Sequence, residues 1–138
     1  MHDQPMQTLG LRHVALQVAD PQRSKAFYTV VLQMEVEWEP DPDNIYLTSG
    51  GHDNLALHRA PVGDLAGVQR LDHIGFAVPE AADVDAWHAR VVGHGATVLQ
   101  PPKTHRDGAR SFYFADPDGL AVQIIHHPPI AVRAAATR

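Results

Sequence analysis

Two histidines sixty positions apart carry the first chemical signal in this chain. His13 lies in Leu11-Arg12-His13-Val14-Ala15-Leu16-Gln17-Val18, and His73 in Leu71-Asp72-His73-Ile74-Gly75-Phe76-Ala77-Val78. Each is the third residue of an alternating apolar stretch that reads as a strand. A single strand histidine is ordinarily structural. Two at equivalent points of a repeated unit are different, because approximate two-fold symmetry brings equivalent strands together and lets both imidazoles approach one centre. Neutral imidazole binds Mn, Fe, Ni and Zn well. A third ligand is expected from the last strand, where Ala121, Gln123 and Ile125 share one face and Gln123 is its polar member. The plainer reading of Gln123 is a hydrogen-bonded core amide. Its counterpart in the first repeat is Ala56, which binds nothing; His58, two residues on, faces the same side as a substrate contact, a fourth ligand or a rim residue.

Other side chains fit around such a centre. Alternation turns Tyr113 to the same side as Gln123, with Phe112 and Phe114 behind. A buried phenol needs a polar partner, which a bound oxyanion or phenol supplies. His105 is a candidate acid or base, or simply an exposed loop residue, and Arg110 a candidate substrate contact. Ala15, Gly75 and Ala77 beside the histidines leave room for a ligand, or accept bulky partners from across the sheet. There is no phosphate-binding glycine loop, no Gly-x-Ser-x-Gly and no His-Glu-x-x-His.

Positioning these residues requires the order βαβββ, twice. In the first unit a strand spans 11–18. Asp20-Pro21 starts a helix as N-cap and first helical residue, with a stripe of Ala26, Phe27, Val30 and Val31 and an end near Gln33–Met34. Strands follow at 35–38, 45–48 and 54–58, with a turn at 40–44. The second unit has a strand at 71–78 and a helix capped by Asp83 that buries Val84, Trp87 and Val91. Gly93 and Gly95 stop it. Strands follow at 96–99, 111–115 and 120–125, the last two joined by the turn Asp116-Pro117-Asp118-Gly119. An insertion of about seven residues falls within 100–109. The expected organisation is one domain over 8–128: units 9–60 and 71–127, a linker at 61–70, and loose ends at 1–7 and 129–138.

Composition narrows the class. The 138 residues suit one domain. No apolar run approaches a membrane span, and Met1-His2-Asp3-Gln4-Pro5 lacks the blocks of a signal peptide, so a cytoplasmic protein is expected. Zero cysteines exclude disulfides and thiolate metal sites. A net charge of −5 without a basic cluster argues against nucleic acid.

With these residues placed, the chain resembles the vicinal oxygen chelate superfamily. That group includes glyoxalase I, extradiol ring-cleaving dioxygenases, fosfomycin-resistance enzymes and bleomycin-resistance proteins. The resemblance covers about residues 9–128. It rests on Leu11 to Leu16, Arg23-Ser24-Lys25-Ala26-Phe27-Tyr28, Leu71 to Phe76, and above all Phe112-Tyr113-Phe114-Ala115-Asp116-Pro117-Asp118-Gly119. It implies an α+β fold in which two βαβββ units form curved mixed sheets around a central cavity. Carried over, the metal ligands are His13, His73 and Gln123. The family most often has glutamate at the last position, and the amide is a neutral, weaker oxygen donor. His105 and Tyr113 are similar to the proton-handling pair of extradiol dioxygenases. The expectation is a divalent-metal-dependent enzyme for a small molecule with two adjacent oxygens, dioxygenase-like before glyoxalase-like. A metal-free binding protein of the bleomycin-resistance type is the alternative. Family habit adds a homodimer.

Overall fold

Asp20 and Pro21 begin the first helix as their types require. The Asp20 carboxylate accepts from the backbone N–H groups of Gln22 and Arg23, and Pro21 has no N–H to leave unsatisfied. In the computed structural model, which describes residues 6–61, 71–115, 117 and 119–136, eleven elements follow one another. They are β1 (Gly10–Val18), α1 (Pro21–Val30), β2 (Glu35–Asp41), β3 (Asn44–Thr48), β4 (Asn54–Arg59), β5 (Leu71–Ala77), α2 (Ala81–Gly93), β6 (Val98–Thr104), β7 (Arg110–Ala115), β8 (Ala121–His126) and α3 (Pro128–Ala136). The fold is α+β, with βαβββ occurring twice, as the repeat predicts. Residues 62–70 of the expected linker, Asp116 and Asp118 of the expected turn, and 1–5 and 137–138 of the expected loose ends lie outside the described residues.

Strands are hydrogen-bonded in the order β2-β3-β4-β1-β5-β8-β7-β6. The sheet is mixed: β1 and β4 are parallel, whereas β2–β3, β3–β4, β6–β7 and β7–β8 are antiparallel. Two compact units are distinguished, Arg12–Gly75, and Met1–Leu11 with Phe76–Arg138. The division falls inside β1 and β5, so His73 packs in the same unit as His13.

Each unit has its own core. In the first, Val18, Ile45, Leu47 and Leu57 are buried, with Leu16, Tyr28, Met34 and Leu55 against them. In the second, Val78, Val84, Val91, Phe112 and Ile124 are buried, with Trp87 and Phe114 alongside. The α2 stripe is therefore as the sequence predicts.

Four expectations need correction. Helix α1 ends at Val30, and Gln33 takes a left-handed backbone with φ 59°. Its inner side is Pro21 and Tyr28; Phe27, Val30 and Val31 lie exposed on the other. Helix α2 starts at Ala81, two residues before Asp83: Glu80 is the N-cap, and Asp83 accepts the Glu80 backbone N–H from within the first turn. Strand β6 continues to Thr104 through Pro101 and Pro102, which fall at a register shift between Gln100 and Lys103 on an edge strand, where a missing N–H costs no ladder bond. The chain after His127 is a helix. Pro128 and Pro129 open it, and Ile130 and Ala134, one turn apart, are buried.

Candidate metal centre

His13 and His73 meet. Their Nε2 atoms are 2.8 Å apart, both side chains are buried, and the ring centroids lie 4.8 Å apart at 43°. The other nitrogen of each ring decides what those Nε2 atoms are. His13 Nδ1 faces Asn54 Oδ1 at 2.8 Å and the Asn54 carbonyl oxygen at 3.2 Å. His73 Nδ1 faces the Asp72 carboxylate at 2.7 Å. All three partners are acceptors, so each Nδ1 carries the hydrogen. In the neutral form of both rings, each Nε2 then presents a lone pair toward the other. Two lone pairs repel at this separation unless a proton or a cation lies between them. The arrangement is what bidentate imidazole binding of an ion requires.

Local structure enforces the approach. A Cβ on Gly75 would sit 2.8 Å from His13 Cβ and 2.9 Å from its Cδ2, closer than carbon atoms tolerate. Only glycine lets β5 run this near the His13 ring. On β1 and β4, cross-strand partners are His13 with Asn54, Ala15 with Ala56, and Gln17 with His58. Beyond the buried alanines stand aromatic rings. Tyr46 pairs with Ala56, stacks on Trp38 at 5.3 Å and meets His58 edge-on at 5.7 Å. His58 Nδ1 donates to Asn44 Oδ1 at 2.7 Å. Burial pushes the His58 pKa down, and His73 adds to this while Asp72 and Asp41 oppose it. The hydrogen bond from His73 holds the Asp72 carboxyl below its ordinary range, against burial.

In the other unit, Gln123 and Tyr113 are cross-strand partners. Gln123 Nε2 donates to the Tyr113 hydroxyl at 2.9 Å. The amide oxygen, Oε1, is buried with no hydrogen-bond partner among the described residues. A buried acceptor without a donor is costly, and a cation satisfies one. His105 Nε2 lies 2.7 Å from Ser111 Oγ, and burial lowers the His105 pKa. Ser111 and Tyr113 have the same strand parity, so His105 reaches the face that carries Gln123. Arg110 has the opposite parity. Asp85 on α2 holds its guanidinium at 2.7 and 3.0 Å, on the side where Phe112 packs, so a substrate contact there requires that ion pair to open.

The structure thus joins His13 with His73, Gln123 with Tyr113, His105 with Ser111, and His58 with Asn44. Among the described residues no group of three or more His, Asp, Glu or Cys side chains is arranged to hold an ion. Sequence reading missed Asn54, Glu37 and Ser111. It passed over Asp72, although a carboxylate adjacent to a candidate ligand was a usable signal. Asn54 and Glu37 reach His13 only through strand register.

Comparison with known proteins adds relatives. The family model described as Glyoxalase/Bleomycin resistance protein/Dioxygenase superfamily matches residues 10–124. The metallothiol transferase FosB of Shouchella clausii is 31% identical over 128 residues, 91% of this chain and 85% of that protein. The 3-methylcatechol 2,3-dioxygenase of Pseudomonas putida is 29% identical over 124 residues, 83% of this chain and 40% of that protein. The crystal structure of a Mn(II)-bound glyoxalase from Novosphingobium aromaticivorans superposes with a TM-score of 0.70 at 31% identity, over 86% of this chain and 39% of that one. Methylmalonyl-CoA epimerase from Mycobacterium tuberculosis shares the fold, with a TM-score of 0.71 at 18% identity over 95% of this chain and 97% of that one.

Proposed function

This chain belongs to the glyoxalase/bleomycin resistance protein/dioxygenase superfamily, and from that membership we propose that it is a divalent-metal-dependent enzyme acting on a small molecule with two adjacent oxygens. The ligands in this proposal are His13, His73 and Gln123. The observation that carries it is the facing pair of Nε2 atoms 2.8 Å apart, each ring committed by its Nδ1 hydrogen. The orphaned Gln123 oxygen supports the third position.

A divalent ion bound there would supply Lewis acidity and a template for two substrate oxygens. The protein's own groups do the rest. Tyr113 holds the Gln123 amide with its oxygen available as a donor atom. We assign proton acceptance to His105, which burial keeps neutral at neutral pH. His58, Tyr46 and Trp38 offer aromatic rings to a flat substrate. Ring opening of a catechol-like diol is the reaction to assay first, because His105 and Tyr113 share the Gln123 face. Isomerisation of a hemithioacetal and thiol transfer to an electrophile come next. The test is reconstitution with Fe, Mn, Ni or Zn under anaerobic conditions, followed by metal analysis. About one ion per chain supports the reading; none retained defeats it.

A metal-free binding protein is the second reading. It is favoured by the lack of a three-member acid and histidine cluster among the described residues. It requires small-molecule binding that ignores chelators, whereas the enzyme's binding is lost with EDTA.

A further inference from the structure

We propose that two carboxylates outside the ligand set, Asp72 and Glu37, act as positioning residues that supply the negative charge which Gln123 does not, Asp72 directly on His73 and Glu37 through Asn54 on His13. The inference rests on the metal site assigned above and extends it to groups that touch no ion. Three neutral donors, two imidazoles and one amide, give a divalent cation no formal charge compensation. Hydrogen bonds from imidazole to carboxylate raise the basicity of the ligating nitrogen and fix its tautomer.

On the His73 side the link is one bond, Nδ1–H to Asp72 Oδ1 at 2.7 Å. Gln17 from β1 reaches the second carboxylate oxygen at 3.4 Å. On the His13 side it is two bonds long. His13 Nδ1 donates to Asn54 Oδ1 at 2.8 Å, and Asn54 Nδ2 donates to Glu37 Oε2 at 2.8 Å. The Glu37 carboxylate only accepts, so it forces the NH2 end of Asn54 toward itself and the oxygen toward His13. A reversed amide would set oxygen against carboxylate and NH2 against the ring N–H. Glu37 on β2 thereby selects the amide sense, and through it the His13 tautomer. The Asn54 carbonyl oxygen also accepts from His13 at 3.2 Å, so losing Glu37 weakens this side less than losing Asp72 weakens the other.

The experiment pairs two readouts on Asp72→Asn, Glu37→Gln, and the double exchange Glu37→Gln with Asn54→Asp. Asp43→Asn is the control, since Asp43 engages Arg59 on the surface. The first readout is nitrogen-15 NMR of the metal-free protein at neutral pH, which reports the tautomers of His13 and His73. The second is competition titration of Mn(II) or Zn(II). In the wild type both rings carry hydrogen on Nδ1. Asp72→Asn lowers metal affinity about 10- to 100-fold. Glu37→Gln lowers it less and mixes the His13 tautomers. The double exchange, which swaps carboxylate and amide along the same chain of bonds, restores both. Asp43→Asn changes neither. Variants with wild-type tautomers and affinity overturn the relay while leaving the metal site standing. A wild type that binds no ion defeats the metal site, and unchanged tautomers in Glu37→Gln then overturn the relay by the first readout alone.

Discussion

At His13 and His73 the side chains are committed by their neighbours before any ligand arrives. The donor set predicts the effect of Gln123→Glu. A carboxylate at that position adds the missing charge, and metal affinity measured by chelator competition rises by at least about tenfold. Equal or weaker affinity would remove Gln123 from the ligand set. Gly75→Ala is a second probe. Its Cβ would collide with His13 at 2.8 Å, and the atom it meets is fixed to the backbone. Strand separation must absorb the clash, at about 1–3 kcal/mol by denaturant unfolding, with a larger fractional loss of metal binding. Undiminished binding would show that β5 need not approach His13 so closely.

His105 gives the pH prediction. Burial lowers its folded pKa below the ordinary 6.5, so its contribution to stability is present above pH 6.5 and is lost as pH falls through the folded value. Unfolding titrations from pH 7.5 to 4.5 should show a decline that His105→Gln removes in part. A superimposable decline in the variant would contradict the burial argument. At this scale the sequence was informative where it repeats. The paired histidines are visible as a repeat, and Gln123 as the polar exception on its strand. Asn54 and Glu37 were hidden because their meaning depends on which strands are neighbours. Arg110 looked available until Asp85, twenty-five positions away, claimed it.

The elements were legible wherever one face is buried and one is not. Helix α2 follows its stripe because Val84 and Val91 meet Phe112 and Ile124. Phe112→Ala should cost about 3–5 kcal/mol in urea unfolding; a loss under about 1 kcal/mol would mean that α2 is not held by this core. Helix α1 misled because its conspicuous apolar residues face outward while Pro21 and Tyr28 face in. Strand β6 misled because two prolines usually end a strand, and an edge bulge excuses them. The alanine-rich end at 131–136 lacks a broad stripe. Two residues one turn apart, Ile130 and Ala134, suffice to seat it, as composition alone could not reveal.

For the whole molecule, the repeat announced the fold class and superfamily membership follows from the match over residues 10–124. The repeat also divided the chain at 61–70, whereas the compact units divide it within β1 and β5. Strand pairing causes that difference, since β5 runs beside β1. At the end of α1 and just after it, Phe27, Val30, Val31 and Leu32 are 52%, 76%, 59% and 58% exposed. No helix among the described residues is long and apolar enough to cross a membrane.

The most direct measurement is elemental analysis of wild-type protein and of His73→Ala, both folded by circular dichroism and loaded with the same divalent metal before extensive dialysis. About one ion per wild-type chain and almost none in the variant is the predicted result. Equal metal content in the two, or none in either, would contradict an ion held between His13 and His73.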